Sequence, residues 1–220
     1  MAEPGRIEIA PVRSDADVAA ASALARDFFG YMRATYPESI ATIDAYLVTQ
    51  DFEGPLARFR DHFNPPHGEC LLARLDGAPV GVVMLKPYAP GVCELNRMYV
   101  ARIARGRGVG RALCEEIIAD ARALGYREIR LDALNERVEA VPLYRRLGFG
   151  PDPEPPGYDD PRVISLRMPL WRGTSRPCPP RSPAPPMQIC TARPPATASA
   201  SPTPNSSSRW SAISPPTARK

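Results

Sequence analysis

Apolar and polar positions change period several times along the chain, and each change marks an element. Ile7 and Ile9 alternate with polar neighbours and Val12 follows, which predicts a first strand over residues 6–12. Ser14 with Asp17 three residues on resembles a capping box with the shorter acid. Beyond it Val18, Ala21, Leu24, Phe28 and Met32 keep helical spacing, predicting a helix through about Ala34. Residues 42–49 and 55–63 read as a second, broken helical region. Residues 69–75 and 79–85 flank Asp76-Gly77, a strong hairpin signal. Residues 92–100 give the next strand, and residues 110–124 a helix with Leu113, Ile117, Ala121 and Leu124 on one face and Gly125 placed to end it. A short strand follows at 128–132, then a helix beginning near Val141 with Pro142 in its first turn. Residues 151–161 are a proline-rich loop and 163–170 a closing strand. The order β-α-α-β-β-β-α-β-α-β fits a mixed α/β sheet, with no internal repeat.

Composition breaks near Trp171. Residues 172–220 hold 12 of the 28 prolines, with Ser, Thr and Ala and almost no apolar period, so this basic segment is expected to be disordered. A Pro/Ala/Ser/Arg mixture without acids just past Leu170 equally fits an out-of-frame reading of a GC-rich gene. Residues 1–171 remain as one domain with room for one core. They carry 21 Lys/Arg against 24 Asp/Glu, whereas the tail carries 7 basic residues and no acid. The domain is thus mildly acidic and gives no reason to invoke nucleic acid. Five cysteines, with no pair at zinc-ligand spacing, suggest neither a disulfide framework nor a metal centre. No signal-peptide or membrane-span run is visible, which makes a cytoplasmic, membrane-free protein the default.

The chemistry gathers at Arg105-Gly106-Arg107-Gly108-Val109-Gly110, between a strand and a helix. Unpaired N–H groups and the macrodipole at such a helix N-terminus suit a phosphate, and the glycines let the backbone approach it. Arg105, Arg107 and Arg111 could add charge-assisted contacts. The dinucleotide fingerprint fails, because its third glycine falls on Arg111 or Leu113, and the P-loop fails, because Gly110 is followed by Arg111-Ala112. The plainer alternative is a surface turn that merely starts a helix. R-x-x-G-x-G fits, and downstream stands Leu143-Tyr144-Arg145-Arg146-Leu147-Gly148-Phe149. Together these resemble the pyrophosphate loop and the L-Y-x-x-x-G-F segment of the GNAT (GCN5-related) N-acetyltransferases, here a bacterial-type single-domain member, over roughly residues 6–170.

That resemblance implies a mostly antiparallel sheet flanked by helices, its fourth and fifth strands splayed into a V. Acetyl-CoA, with no metal, would lie there, its pantetheine arm pairing with Met98, Tyr99 and Val100 and its pyrophosphate on residues 105–111, including Val109. Asn135 could touch cofactor or acceptor, although the family's common asparagine position is held here by Arg137. Acetyl transfer to an amine needs a base, an oxyanion donor and an acid for the thiolate. By resemblance Glu94 is the base, acting through water, the N–H of Met98 or Tyr99 the oxyanion donor, and Tyr144 the acid. A phenol near pKa ~10 protonates a thiolate near ~8.5 only with help, so a hydrogen-bonding or packing role for Tyr144 stays open. Cys93 and Cys114 read as buried packing residues. Tyr31, Tyr36, Tyr46, Asp51, Arg58 and His62 are the polar residues of the segment that shapes the acceptor site, with packing as their plainer role. The implied activity is transfer to the primary amine of a small or amino-acid-like acceptor by direct attack in a ternary complex. Protein or peptide acetylation and a non-catalytic acyl-CoA sensor are the alternatives, and the family's habit of pairing allows a homodimer.

Overall fold

The computed structural model describes residues 6–49, 51–154 and 160–171, so the expectations for residues 172–220 lie outside the described residues. The chain divides into two units, Met1–Pro180 and Arg181–Lys220, and the description concerns the first. Its elements follow the periodicities closely. Strand β1 (Ile7–Pro11) leads into helix α1 (Asp15–Thr35), then α2 (Ile40–Thr49), α3 (Glu53–Ala57) and α4 (Phe59–Phe63). Strands β2 (Glu69–Leu75), β3 (Ala78–Ala89) and β4 (Val92–Val100) form a meander before helix α5 (Val109–Ala123). Strand β5 (Glu128–Leu134), helix α6 (Ala140–Leu147), β6 (Gly150–Pro151) and β7 (Val163–Pro169) complete the unit. Among the described residues no helix is long and apolar enough to cross a membrane.

Local chemistry explains the ends. Ser14 accepts from the Asp17 N–H while the Asp17 carboxylate accepts from the Ser14 N–H, closing the capping box of α1. Asp76 and Gly77 both have positive φ, +52° and +82°, the backbone a two-residue hairpin turn requires. One expectation needs correction: Pro151 does not lie in a loop but pairs with Leu166 in β6. A proline fits there because β6 is the edge of the sheet, where a missing N–H breaks no ladder.

The seven strands run in the order β1-β2-β3-β4-β5-β7-β6, antiparallel except for β4 and β5. Strand alternation serves both faces. Leu71, Ala73, Val83 and Leu85 pack with Leu113, Cys114 and Ile117 of α5, while Cys70, Leu72, Val82 and Met84 pack with α1 and with Phe59 and Phe63 of α4. β4 and β5 pair only at Val92↔Glu128, Cys93↔Ile129 and Glu94↔Arg130. Past that point β5 continues against β7 alone, so the two central strands part and leave one edge of residues 95–100 without a strand partner. Phe28, Phe29, Met32 and Ile43 form an apolar cluster with Leu134 of β5. β4 also carries a bulge: Val82 faces Tyr99 but Met84 faces Asn96, and within the extra residues Arg97 has φ +50°.

Candidate active site

The turn before α5 is built as an anion cradle. Gly106 and Gly108 have φ of +74° and +81°, a backbone that side chains rarely adopt, and a Cβ at either would meet nothing within 4 Å. Gly108 caps α5, and the first helical hydrogen bond is made by the Ala112 N–H to the Gly108 carbonyl at 3.0 Å. The N–H groups of residues 109–111 therefore have no acceptor within the helix, at its positive end. The turn lines a cleft of about 640 Å³ that runs along Met98, Tyr99 and Val100. Open space over two glycines, unpaired helix donors and a strand edge left unpaired by the splay are walls that could hold a long, anionic ligand.

Beyond the cleft lies a second cavity, of about 70 Å³, in the gap between β4 and β5. Met98 and Arg137 line both spaces, so they are the shared wall. Tyr144 faces the smaller one, only 2% exposed. Burial pushes its phenol up to about 12, with the Arg137 cation pulling the other way. Tyr46 and Asn96 also line this cavity, and burial raises the Tyr46 hydroxyl well above its usual range. The Asn96 amide donates to the Glu94 carboxylate at 2.9 Å and toward the Tyr46 hydroxyl at 3.3 Å. Glu94 is itself buried, 3.4 Å from Lys86 Nζ.

Most of the residues singled out for the cofactor come together. Met98, Tyr99, Val100, Arg105, Gly106, Gly108, Val109, Gly110 and Arg111 all line the cleft, whereas Arg107 and Asn135 do not. The arginines are partly engaged already. Arg105 stacks on the Tyr31 ring at 4.1 Å and donates to the Val100 carbonyl, and Arg111 pairs with Glu115 one turn on. Of the two catalytic candidates Tyr144 reaches the cavity wall and Glu94 stands behind Asn96. Tyr31 and Tyr36 border the cleft rather than the cavity, and Asp51, Arg58 and His62 border neither. Cys93 and Cys114 are buried, and burial raises both thiols. Sequence reasoning gave no cavity role to Asn96, Arg97 or Arg137. The first two stand with Glu94 as the polar residues of an otherwise apolar strand, a pattern that does not say which way either one faces. Among the described residues no group of three His, Cys, Asp or Glu is placed to hold a metal ion.

The family model described as "Acetyltransferase (GNAT) family" matches residues 25–149. An uncharacterized N-acetyltransferase of Schizosaccharomyces pombe is 36% identical over 126 residues, covering 56% of this chain and 76% of that protein. The N-acetylaspartate synthetase of Rattus norvegicus is 31% identical over 122 residues, covering 54% of this chain but 40% of that one. Among solved structures, an N-acetyltransferase of Thermoplasma acidophilum in complex with coenzyme A superimposes with a TM-score of 0.57 at 20% identity, covering 74% of this chain and 99% of that one. The last likeness is one of fold.

Proposed function

The chain belongs to the GNAT acetyltransferase family, and from that premise we propose that it moves an acetyl group from acetyl-CoA to the primary amine of a small, amino-acid-like acceptor, by direct attack in a ternary complex. The observation that carries this reading is the shared wall: a cleft ending at the glycine turn before α5 meets a small, largely apolar cavity with a few polar groups at Met98 and Arg137, beside Tyr144. The N–H groups of residues 109–111 hold the pyrophosphate, with Arg105 and Arg111 on the cleft wall adding charge, and the free edge of Met98–Val100 holds the pantetheine amides. Acetyl-CoA supplies the activated acyl group. Tyr144, kept protonated by burial, presents its O–H to the departing sulfur. Glu94, anchored by Asn96 and Lys86, takes the amine's proton through water, and the Met98 or Tyr99 N–H stabilises the oxyanion.

The cavity, at about 70 Å³, supports a small acceptor over a peptide, which would need an open groove. The rat relative, named for making N-acetylaspartate, points the same way.

Calorimetric titration of the full-length protein with acetyl-CoA, wild type beside Gly108→Glu, tests the cofactor half. Binding that the added carboxylate abolishes is the expected result. Equal binding by both would remove the pyrophosphate from this turn, and none by either would remove the reading itself. Mass analysis of an amine panel incubated with acetyl-CoA then tests the transfer.

A further inference from the structure

Arg97 is 6% exposed, and its guanidinium is nearly surrounded by apolar groups. Its carbon lies 4.9 Å from the centre of the Phe52 ring and 5.5 Å from that of Phe63. One terminal nitrogen donates to the Phe52 carbonyl at 3.4 Å and the other lies 3.9 Å from Met84 Sδ. The Nε has no partner, and among the described residues no carboxylate lies within ion-pair distance. Arg130, still more deeply buried, behaves in the ordinary way and pairs with Asp132 at 2.9 Å and Asp152 at 3.3 Å. An arginine does not shed its proton to escape such a site, and among the described carboxylates only Glu94 and Glu53, beyond ion-pair reach, offset its charge.

The residue before it is half-satisfied in the complementary sense. Glu94 only accepts, so its bond to Asn96 fixes the amide with Nδ2 toward the carboxylate, and the buried Asn96 Oδ1 is left without a partner. In a regular strand, residues 96 and 97 would face opposite sides of the sheet. The bulge, with Arg97 at φ +50°, falls within residues 95–98, all of which line the one cavity, and the Arg97 guanidinium lies toward Phe52 and Phe63. A cation with no carboxylate in ion-pair reach and an oxygen lacking a donor, at neighbouring positions on a small cavity that Asp132 and Arg137 also border, match the carboxylate and the amine of a small amino acid.

Resting on the acetyl-transfer reading above, we propose that the acceptor is an aminocarboxylic acid whose carboxylate is read by Arg97 and whose amine is received at Asn96 Oδ1. Plain amines, and amino acids whose carboxylate is blocked as an amide, are poor acceptors because they leave the Arg97 charge buried and unpaired.

The test is a panel of the common α-amino acids and short ω-amino acids, each beside its carboxamide, offered to the full-length protein. Binding to the coenzyme A-saturated protein is read by calorimetry, and product from acetyl-CoA is read by mass. In wild type the best acid should exceed its own amide by about 100-fold in affinity or in kcat/KM. In Arg97→Met, checked for retained coenzyme A binding, the acid should be held no better than its amide. Arg97→Lys should keep part of the preference, since the charge remains without the fork. Acid and amide treated alike by wild type, no acid recognised at all, or an undiminished preference in a folded R97M protein would each overturn the proposal. Acids bound through Arg97 without acetylated product would instead sink the transfer reading and leave this one standing.

Discussion

Glu94 and Asn96, two positions apart on β4, turn to the same side, and the Glu94 carboxylate accepts from the Asn96 amide at 2.9 Å. Lys86 on the neighbouring strand lies 3.4 Å from the other carboxylate oxygen. Glu94 is therefore held rigidly one residue behind the cavity wall, the place for a base that works through water. Glu94→Gln should lower kcat about 100-fold while leaving acetyl-CoA affinity within about threefold of wild type. The same change removes the charge from the buried Glu94–Lys86 pair, so urea unfolding should report a loss of about 1–3 kcal/mol. A kcat near wild type in a folded E94Q protein would move proton acceptance to another group.

Tyr144 makes a prediction that its burial fixes in sign. A phenol raised from 10.0 to about 12 in the folded protein binds its proton more tightly than the unfolded chain does. The folded state is favoured fully below pH 10, and that advantage is lost as pH rises from 10 through 12. Tyr144→Phe should remove this part of the alkaline loss, worth about 2 kcal/mol between the two pH values, as read from the difference between wild-type and variant unfolding at pH 9 and pH 11.5. At neutral pH, Y144F should also lower kcat by about 10- to 100-fold if the O–H reaches the leaving sulfur. Unchanged turnover would leave Tyr144 a packing residue.

Periodicity reveals elements and pattern reveals the loop, but neither reveals a bulge. The capping box at Ser14, the turn at Asp76-Gly77 and the glycines at 106 and 108 were legible because each is a local backbone requirement written in the residue itself. The parting of β4 from β5 follows from the family resemblance, since no alternation of side chains records where two strands stop pairing. Arg97 was illegible for a different reason. Nothing in Leu95-Asn96-Arg97-Met98 announces that an extra residue enters the ladder there, and an ordinary register would have sent Asn96 and Arg97 to opposite faces. Asn135 shows the converse limit: the residue type suited the site, but its backbone N–H is spent on the Arg162 carbonyl and it lines neither space.

The α1 cap yields an acid-side prediction. Asp17 is drawn down from 3.8 to about 2, chiefly by the Ser14 hydroxyl and N–H, with Arg74 also paired to it. A depressed carboxylate contributes above its unfolded pKa and stops contributing as pH falls through the folded one. Asp17→Asn should therefore cost about 1 kcal/mol at pH 7, and the gap to wild type should close between pH 4 and pH 2. Ser14→Ala should cost about the same at pH 7. Thermal unfolding of the three proteins across that range checks both, and a gap that persists at pH 2 would mean that packing rather than the carboxylate is lost.

Arg137 occupies the position where an asparagine was expected, and it borders both the cleft and the cavity. Its guanidinium lies over the Phe28 ring at 5.1 Å and opposes the rise of the Tyr144 phenol. Removing that cation leaves Tyr144 a weaker acid and opens the wall between the two spaces. Arg137→Ala should therefore reduce kcat about 10-fold and raise KM for both substrates, because one side chain shapes both walls. Asn135→Ala should change neither constant by more than about twofold. Steady-state kinetics with each substrate varied in turn separates the two expectations. An N135A defect larger than that of R137A would return the cofactor-facing role to the asparagine and reduce Arg137 to a surface for Phe28.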